Sequence, residues 1–283
     1  MKTILVVGED PRSFESVLAT AWLVAERFES YVEGVAVRAL TAPITSFVGF
    51  GDVAITTLEN LEADEVARAA QLKGTFEEFV RGRQISGDPG AGERGSVIAN
   101  WPVEEPVLAQ TLGERGRVFD LIVVGRSGDA LKVPDTHVME SALFDSGRPV
   151  LIAPQDAPKS IGNAVLIAWN GASESARAVA FALPFLHAAG EVLVLEVEGG
   201  SVVGPDAQDL RAYLTRHGIS SQSKIVVQDG AETGQVILDE AASFGADLIV
   251  KGAYTHSRLR QMIFGGATKH LLASSPIPVL MAH

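Results

Sequence analysis

The chain repeats one plan, and that duplication constrains its fold more than any other feature. The first half opens with "ILVVGEDPRSFESVLATAWLVAERFESYVEGVAV" and the second with "VLIAWNGASESARAVAFALPFLHAAGEVLVLEV". Each segment reads as a short apolar strand, a turn, an alanine-rich amphipathic helix and a second apolar strand. The halves also end alike, "FDLIVVGRSG" and "SALFDSGRPVLIAP" against "ADLIVKGAYT" and "KHLLASSPIPVLMAH". A repeat this long means duplicated domains, because the units of a solenoid are far shorter. With 283 residues the chain suits two domains of ordinary size, each able to bury a core.

Within each half strands and helices alternate. In the second half strands are expected near 164–169, 191–197, 223–228, 247–251 and 278–282, and helices near 173–188, 205–217, 232–244 and 266–274. The strand segments are β-branched and nearly continuous in apolar character, as parallel strands buried on both faces require. Such alternation implies an α/β fold, a doubly wound parallel sheet with right-handed crossovers. The first half carries more: the loop "TAPITSFVGFGD" and a long charged helix from about Thr57 to Arg83. The expected division is 1–154, a linker at 155–163 with two prolines and polar neighbours, and 164–283. The last strands, "PVLIAP" and "PVLMAH", are apolar edges, and open edges invite pairing. They are expected to join the two domains as a pseudo-dimer within one chain, with a homodimer of chains as a further level.

The charge balance narrows the partners. Lys and Arg number 23 against 35 Asp and Glu, a net charge of −12 with no basic tract. Neither nucleic acid nor an anionic membrane is an expected partner, and any anion site must be built locally. The absence of cysteine excludes disulfides, zinc–thiolate sites, iron–sulfur clusters and cysteine nucleophiles. It also fits a reducing compartment. The start "MKTILVVGED" has one Lys and a four-residue apolar run, too short for a signal peptide, and no apolar run approaches a membrane span. A cytoplasmic location is the expectation.

These segments resemble the universal stress protein family, and in particular its tandem members. The resemblance covers essentially the whole chain. "VLIAWNGASESARAVAFALP" is similar to the family's first strand, turn and helix. "DLIVKGAYTHSRLRQMIFGGATKHLLASSPIPVLM" is similar to its signature end, G-x-x-G-x9-G-[S/T] followed by a helix and "PVL". The resemblance implies two five-stranded parallel sheets of order 3-2-1-4-5, of the adenine nucleotide alpha-hydrolase-like kind. It also implies a stress-response regulator that binds ATP, with AMP or ADP as further candidates and Mg²⁺ as companion, and acts on a protein partner the sequence does not name. In the second domain Gly252 takes the first glycine place and Gly265 the third; Thr255 stands where the second usually sits, and Gly266 where Ser or Thr is usual. Asn170 replaces an acidic residue common in ATP-binding members. In the first domain Gly125 and Gly128 match, but His137 and Val138 fill the region of the glycine pair. At most one phosphate site is expected, in the second domain.

Physical reasoning adds to that site; without the resemblance, the plain helix-turn reading of its glycine pair would be favoured. Ligands of doubly wound sheets bind beyond the carboxyl ends of the strands, where strand order reverses. This places a crevice between the first and fourth strands, beneath Asn170 and Gly252. Gly265 and Gly266 expose backbone N–H groups at a helix start, where the dipole favours an anion. Thr268 and Ser257 offer hydroxyls, and Arg258 is the preferred phosphate partner. Asn170 before Gly171 reads equally as a turn former and as a ribose or adenine contact. By the resemblance, Val197 offers backbone groups to an adenine edge. Ala168 and Trp169 would wall the pocket, although Trp169 reads as core as well. The glycine pair also has a plain reading, a helix N-terminal turn.

Catalysis has no positive support. No G-x-x-x-x-G-K-[ST], H-E-x-x-H or G-x-S-x-G segment occurs. His187 ends an amphipathic helix and reads as a cap interaction rather than a metal ligand. Three classes of function remain: a nucleotide-binding regulator with at most weak ATP hydrolysis, a scaffold without nucleotide, and an enzyme of a related adenine-binding fold. The lack of an S-G-G-x-D-S type pyrophosphate loop after either first strand argues against the third.

Overall fold

The computed structural model describes residues 1–38, 52–83, 97–103, 105–126, 136–199, 202–227, 229–253 and 266–283, with backbone alone at 52–59 and 136. In the first half the order is β1 (Thr3–Gly8), α1 (Pro11–Phe28), β2 (Tyr31–Arg38), α2 (Asp52–Arg81), β3 (Ile98–Asn100), β4 (Val107–Leu108), α3 (Leu112–Gly116), β5 (Leu121–Val124), α4 (Thr136–Glu140) and β6 (Val150–Ile152). Helix α4 continues as a π-helical turn over Ser141–Asp145. The second half runs β7 (Ala164–Trp169), α5 (Ser173–Ala188), β8 (Glu191–Val197), α6 (Ala207–Arg216), β9 (Gln222–Val226), α7 (Thr233–Phe244), β10 (Leu248–Gly252), α8 (Gly266–Ser274) and β11 (Val279–Ala282).

Local chemistry accounts for these boundaries. Asp10 caps α1 by accepting from Arg12 N, and Pro11 opens the helix where its missing N–H costs nothing. Asp206 and Asp209 form a reciprocal capping box on α6. Gly245, at φ 73°, ends α7 in the left-handed conformation that glycine adopts without strain. Helix α2 starts at Asp52, five residues before the expected Thr57.

The strands form one sheet in the order β3-β2-β1-β5-β6-β11-β10-β7-β8-β9, with β4 added beside β2. Each half of that path therefore follows the order 3-2-1-4-5. All pairings are parallel except β6 with β11, which run antiparallel with Leu280 opposite Leu151. The two last strands thus close each other's open edges and make the sheet continuous.

Side-chain alternation divides the core into two layers. Val165, Ile167 and Trp169 of β7 face α1, α2, α5 and α6, whereas Leu166 and Ala168 face α3, α4, α7 and α8. The connection after β6 is pinned rather than free. Arg27, in the last turn of α1, donates to Ile161 O and Gly162 O, each at 3.0 Å, to Asn163 Oδ1 and to Ala188 O. Ile161 is buried, and Phe28 meets Phe185 edge-on at 5.1 Å. The end of α5 is therefore capped by Arg27, while His187 in its last turn is exposed. Arg126 adds a second tie, donating to Ser275 O at the end of α8; burial pushes its pKa down to about 10, and it stays charged.

Candidate functional site

In the second half β7 lies between β10 and β8, so strand order reverses at its C-terminal tip. The N-terminus of α8 opens on the same edge of the sheet. No acceptor among the described residues meets the N–H groups of Gly266, Ala267 or Thr268. A side chain at Gly266 would meet nothing within 4 Å. Below this helix start lies Lys251, in register with Ala168 of β7 and Met281 of β11. Its Nζ donates to Thr268 Oγ1 at 3.0 Å and to Gly252 O at 2.9 Å. Burial pushes the Lys251 pKa down to about 8. Among the described residues no carboxylate pairs with it.

The β7 tip is a tight turn. Asn170 Oδ1 accepts from Ser175 Oγ and from Ala172 N, and Asn170 O accepts from Val202 N. Gly171, at φ 77°, lets the chain turn, and Gly204 packs against it so closely that a Cβ would lie 3.2 Å from the Gly171 carbonyl carbon. Trp169 Nε1 donates to Pro205 O, and its ring is buried on the α5 and α6 side. Trp169 is thus a core residue, facing away from Ala168.

Gly252 has a packing reason of its own. A Cβ there would lie 2.6 Å from the Glu174 carbonyl carbon and 2.8 Å from Ser175 Oγ. The glycine lets the first turn of α5 sit against the end of β10, on the face opposite Lys251 and Thr268.

The corresponding edge of the first half is filled. Register places Val37 of β2 where Val197 stands in β8. Arg68 of α2 donates to Val37 O at 2.6 Å and to Glu9 O, and Glu65 holds the same guanidinium at 2.6 Å. Leu72 presses on Gly8, where a Cβ would lie 3.1 Å from its methyl group. Helix α4, the counterpart of α8, has only five residues before the π-helical turn. Val138 is buried there and His137 is exposed.

Of the residues expected at the site, Ala168, Val197, Gly266 and Thr268 share the α7 and α8 side or its edge, with both Ala168 and Val197 buried. Asn170 sits at the adjacent tip, and Gly252 on the opposite face. Thr255, Ser257, Arg258 and Gly265 lie outside the described residues. Lys251 escaped the sequence reading, although one signal was present: a lysine inside the buried strand "LIVKG".

The model of the universal stress protein family matches residues 163–283. A universal stress protein of Synechocystis is 26% identical over 175 residues, a span covering 57% of this chain and 57% of that relative. The crystal structure of a universal stress protein from Archaeoglobus fulgidus superposes with TM-score 0.66 at 18% identity, covering 99% of this chain and 95% of that one. A putative universal stress protein from Pseudomonas aeruginosa gives 0.58 at 16% identity, covering 100% and 93%. These structural likenesses establish the shared fold, and the family match covers the half that holds the open helix start. Residues 163–283 of the chain thus carry a universal stress protein family domain.

Proposed function

We propose that this chain is a tandem universal stress protein that binds one adenine nucleotide, in its C-terminal half. The observation that carries the reading is the start of α8 at the switch point of the sheet, where no acceptor among the described residues meets the first N–H groups and a lysine lies beneath. Dipole and amides favour phosphate there. The base would lie toward Val197 and the ribose toward Asn170, with ATP as the foremost candidate. The N-terminal half takes no nucleotide, because Arg68 occupies the matching edge at Val37 O. Binding would change the contacts of the molecule with a protein partner in the stress response.

A scaffold without nucleotide is the second reading. It draws on Asn170, whose carbonyl and side-chain oxygens are already engaged in the β7 turn. Gly266→Val separates the two. Among the described residues the added side chain meets nothing within 4 Å, and on this reading it would stand where the phosphate approaches the α8 amides. Stability should stay within about 0.5 kcal/mol of wild type, as for exposed substitutions. ATP should raise the melting temperature of wild type and fail to raise that of the variant. Absence of any ATP-dependent shift in wild type, with no nucleotide released on denaturing the purified protein, would leave the scaffold reading standing.

A further inference from the structure

We propose that Lys251 is the residue that reads phosphate charge at the C-terminal site, making it discriminate among nucleotides by phosphate number. This rests on the nucleotide reading above and names the group that gives that site its selectivity.

The argument starts from what the position costs. Lys251 interrupts a strand whose neighbours in register, Ala168 and Met281, are both buried. An ammonium in such surroundings is unfavourable unless an opposite charge compensates it. The chain carries 35 acidic residues, yet among the described residues Lys251 bonds only a hydroxyl and a carbonyl, both neutral. Its third N–H has no partner among the described residues.

The second cost is the direction in which the ammonium points. Thr268 belongs to the first turn of α8, the positive end of the helix dipole. Two positive features therefore face one another, and among the described residues no carboxylate pairs with the ammonium. The surrounding titratable groups do not relieve this. Glu174 on α5 pairs with Arg177, and His270 on α8 is held by Glu232. Lys269 of α8 is exposed, and His283 after β11 bonds Ala253 O. A bound anion would satisfy the ammonium, the Thr268 hydroxyl and the open amides together. Each added phosphate brings more charge to the same point, whereas adenosine brings none.

The test is calorimetric titration of full-length wild type and Lys251→Met with ATP, ADP, AMP and adenosine at pH 7, with melting temperatures of both proteins without ligand. ATP affinity should fall at least about tenfold in the variant, or about 1.4 kcal/mol. The loss should shrink through ADP and AMP and vanish for adenosine. The unliganded variant should melt no lower than wild type, because an uncompensated charge has gone. In wild type the ATP affinity should also decline between about pH 7.5 and 9.5 as the ammonium loses its proton. That decline should be absent from the variant. Equal ATP affinity in both proteins would overturn the role of Lys251 while leaving the nucleotide reading intact. A loss as large for adenosine as for ATP would overturn it too, since that marks a distorted pocket. Failure of wild type to bind ATP overturns both readings. Lys251→Gln, neutral but still able to donate to Thr268, repeats the comparison if the methionine variant does not fold, with the same outcomes required.

Discussion

Lys251 and Gly252 are sequence neighbours with opposite duties. Lys251 faces α8 and carries a charge that burial disfavours; Gly252 faces α5 and gives it room. The lysine has a pH signature. Burial lowers its pKa from 10.5 to about 8, so between those values the folded chain holds fewer protons than the unfolded one. Stability from this group therefore rises with pH across that window. In chemical denaturation, the gap between Lys251→Met and wild type should narrow from pH 8 to 10.5 as the wild type catches up. The glycine makes a different prediction. A Cβ at position 252 meets backbone and a short side chain, neither of which can swing aside. Gly252→Ala should therefore cost about 1–3 kcal/mol, the usual range for overpacking, in urea unfolding. A neutral result would mean that α5 slides away from β10 without penalty. At this scale the motif positions of Gly252 and Gly266 were readable in the chain. Which face each one serves was not, because that depends on the strand that carries it and the helix packed above.

Among the elements, α2 is what most distinguishes the first half from the second. Its length and charge were visible in the sequence, but its consequence was not. Arg68 reaches carbonyls 59 and 31 residues away in the chain, and no local pattern records such contacts. Arg68→Met should remove the guanidinium that donates to Val37 O and lower stability by about 1–3 kcal/mol. Helix α4, the counterpart of α8, still has only five residues before its π-helical turn, so the variant should gain no second nucleotide site. Calorimetry on it should return the same ATP stoichiometry as wild type, near one per chain. Two sites in wild type would show that α2 does not block the N-terminal half. Helix α8 is legible in another way: its predicted span agrees with the structure, since an apolar helix between glycine and "SSPIP" has few alternatives.

Across the whole molecule, the antiparallel β6–β11 seam and the Arg27 and Arg126 ties make the halves one mechanical body. Arg27 alone gathers carbonyls from the connecting segment and from α5, and the buried Ile161 anchors that segment to the core. Thermal unfolding should accordingly show one cooperative transition, with calorimetric and van't Hoff enthalpies in agreement. Two resolved transitions would mean that the seam contributes little. The alternation of strands and helices, the internal repeat and the apolar final strands were all determined by the sequence alone. Period and composition are local quantities, and a duplicated pattern of buried runs admits few ways to cover both faces of a sheet. Pairing through the last strands followed from the same logic of unprotected edges. The tertiary structure alone decided that the polar-looking connection is docked, that Arg68 of α2 reaches the tip of β2, and that a lysine with no carboxylate partner among the described residues lies under the start of α8. Each depends on groups far apart in the chain converging in space, where burial rather than residue type determines what a charge or a missing side chain does.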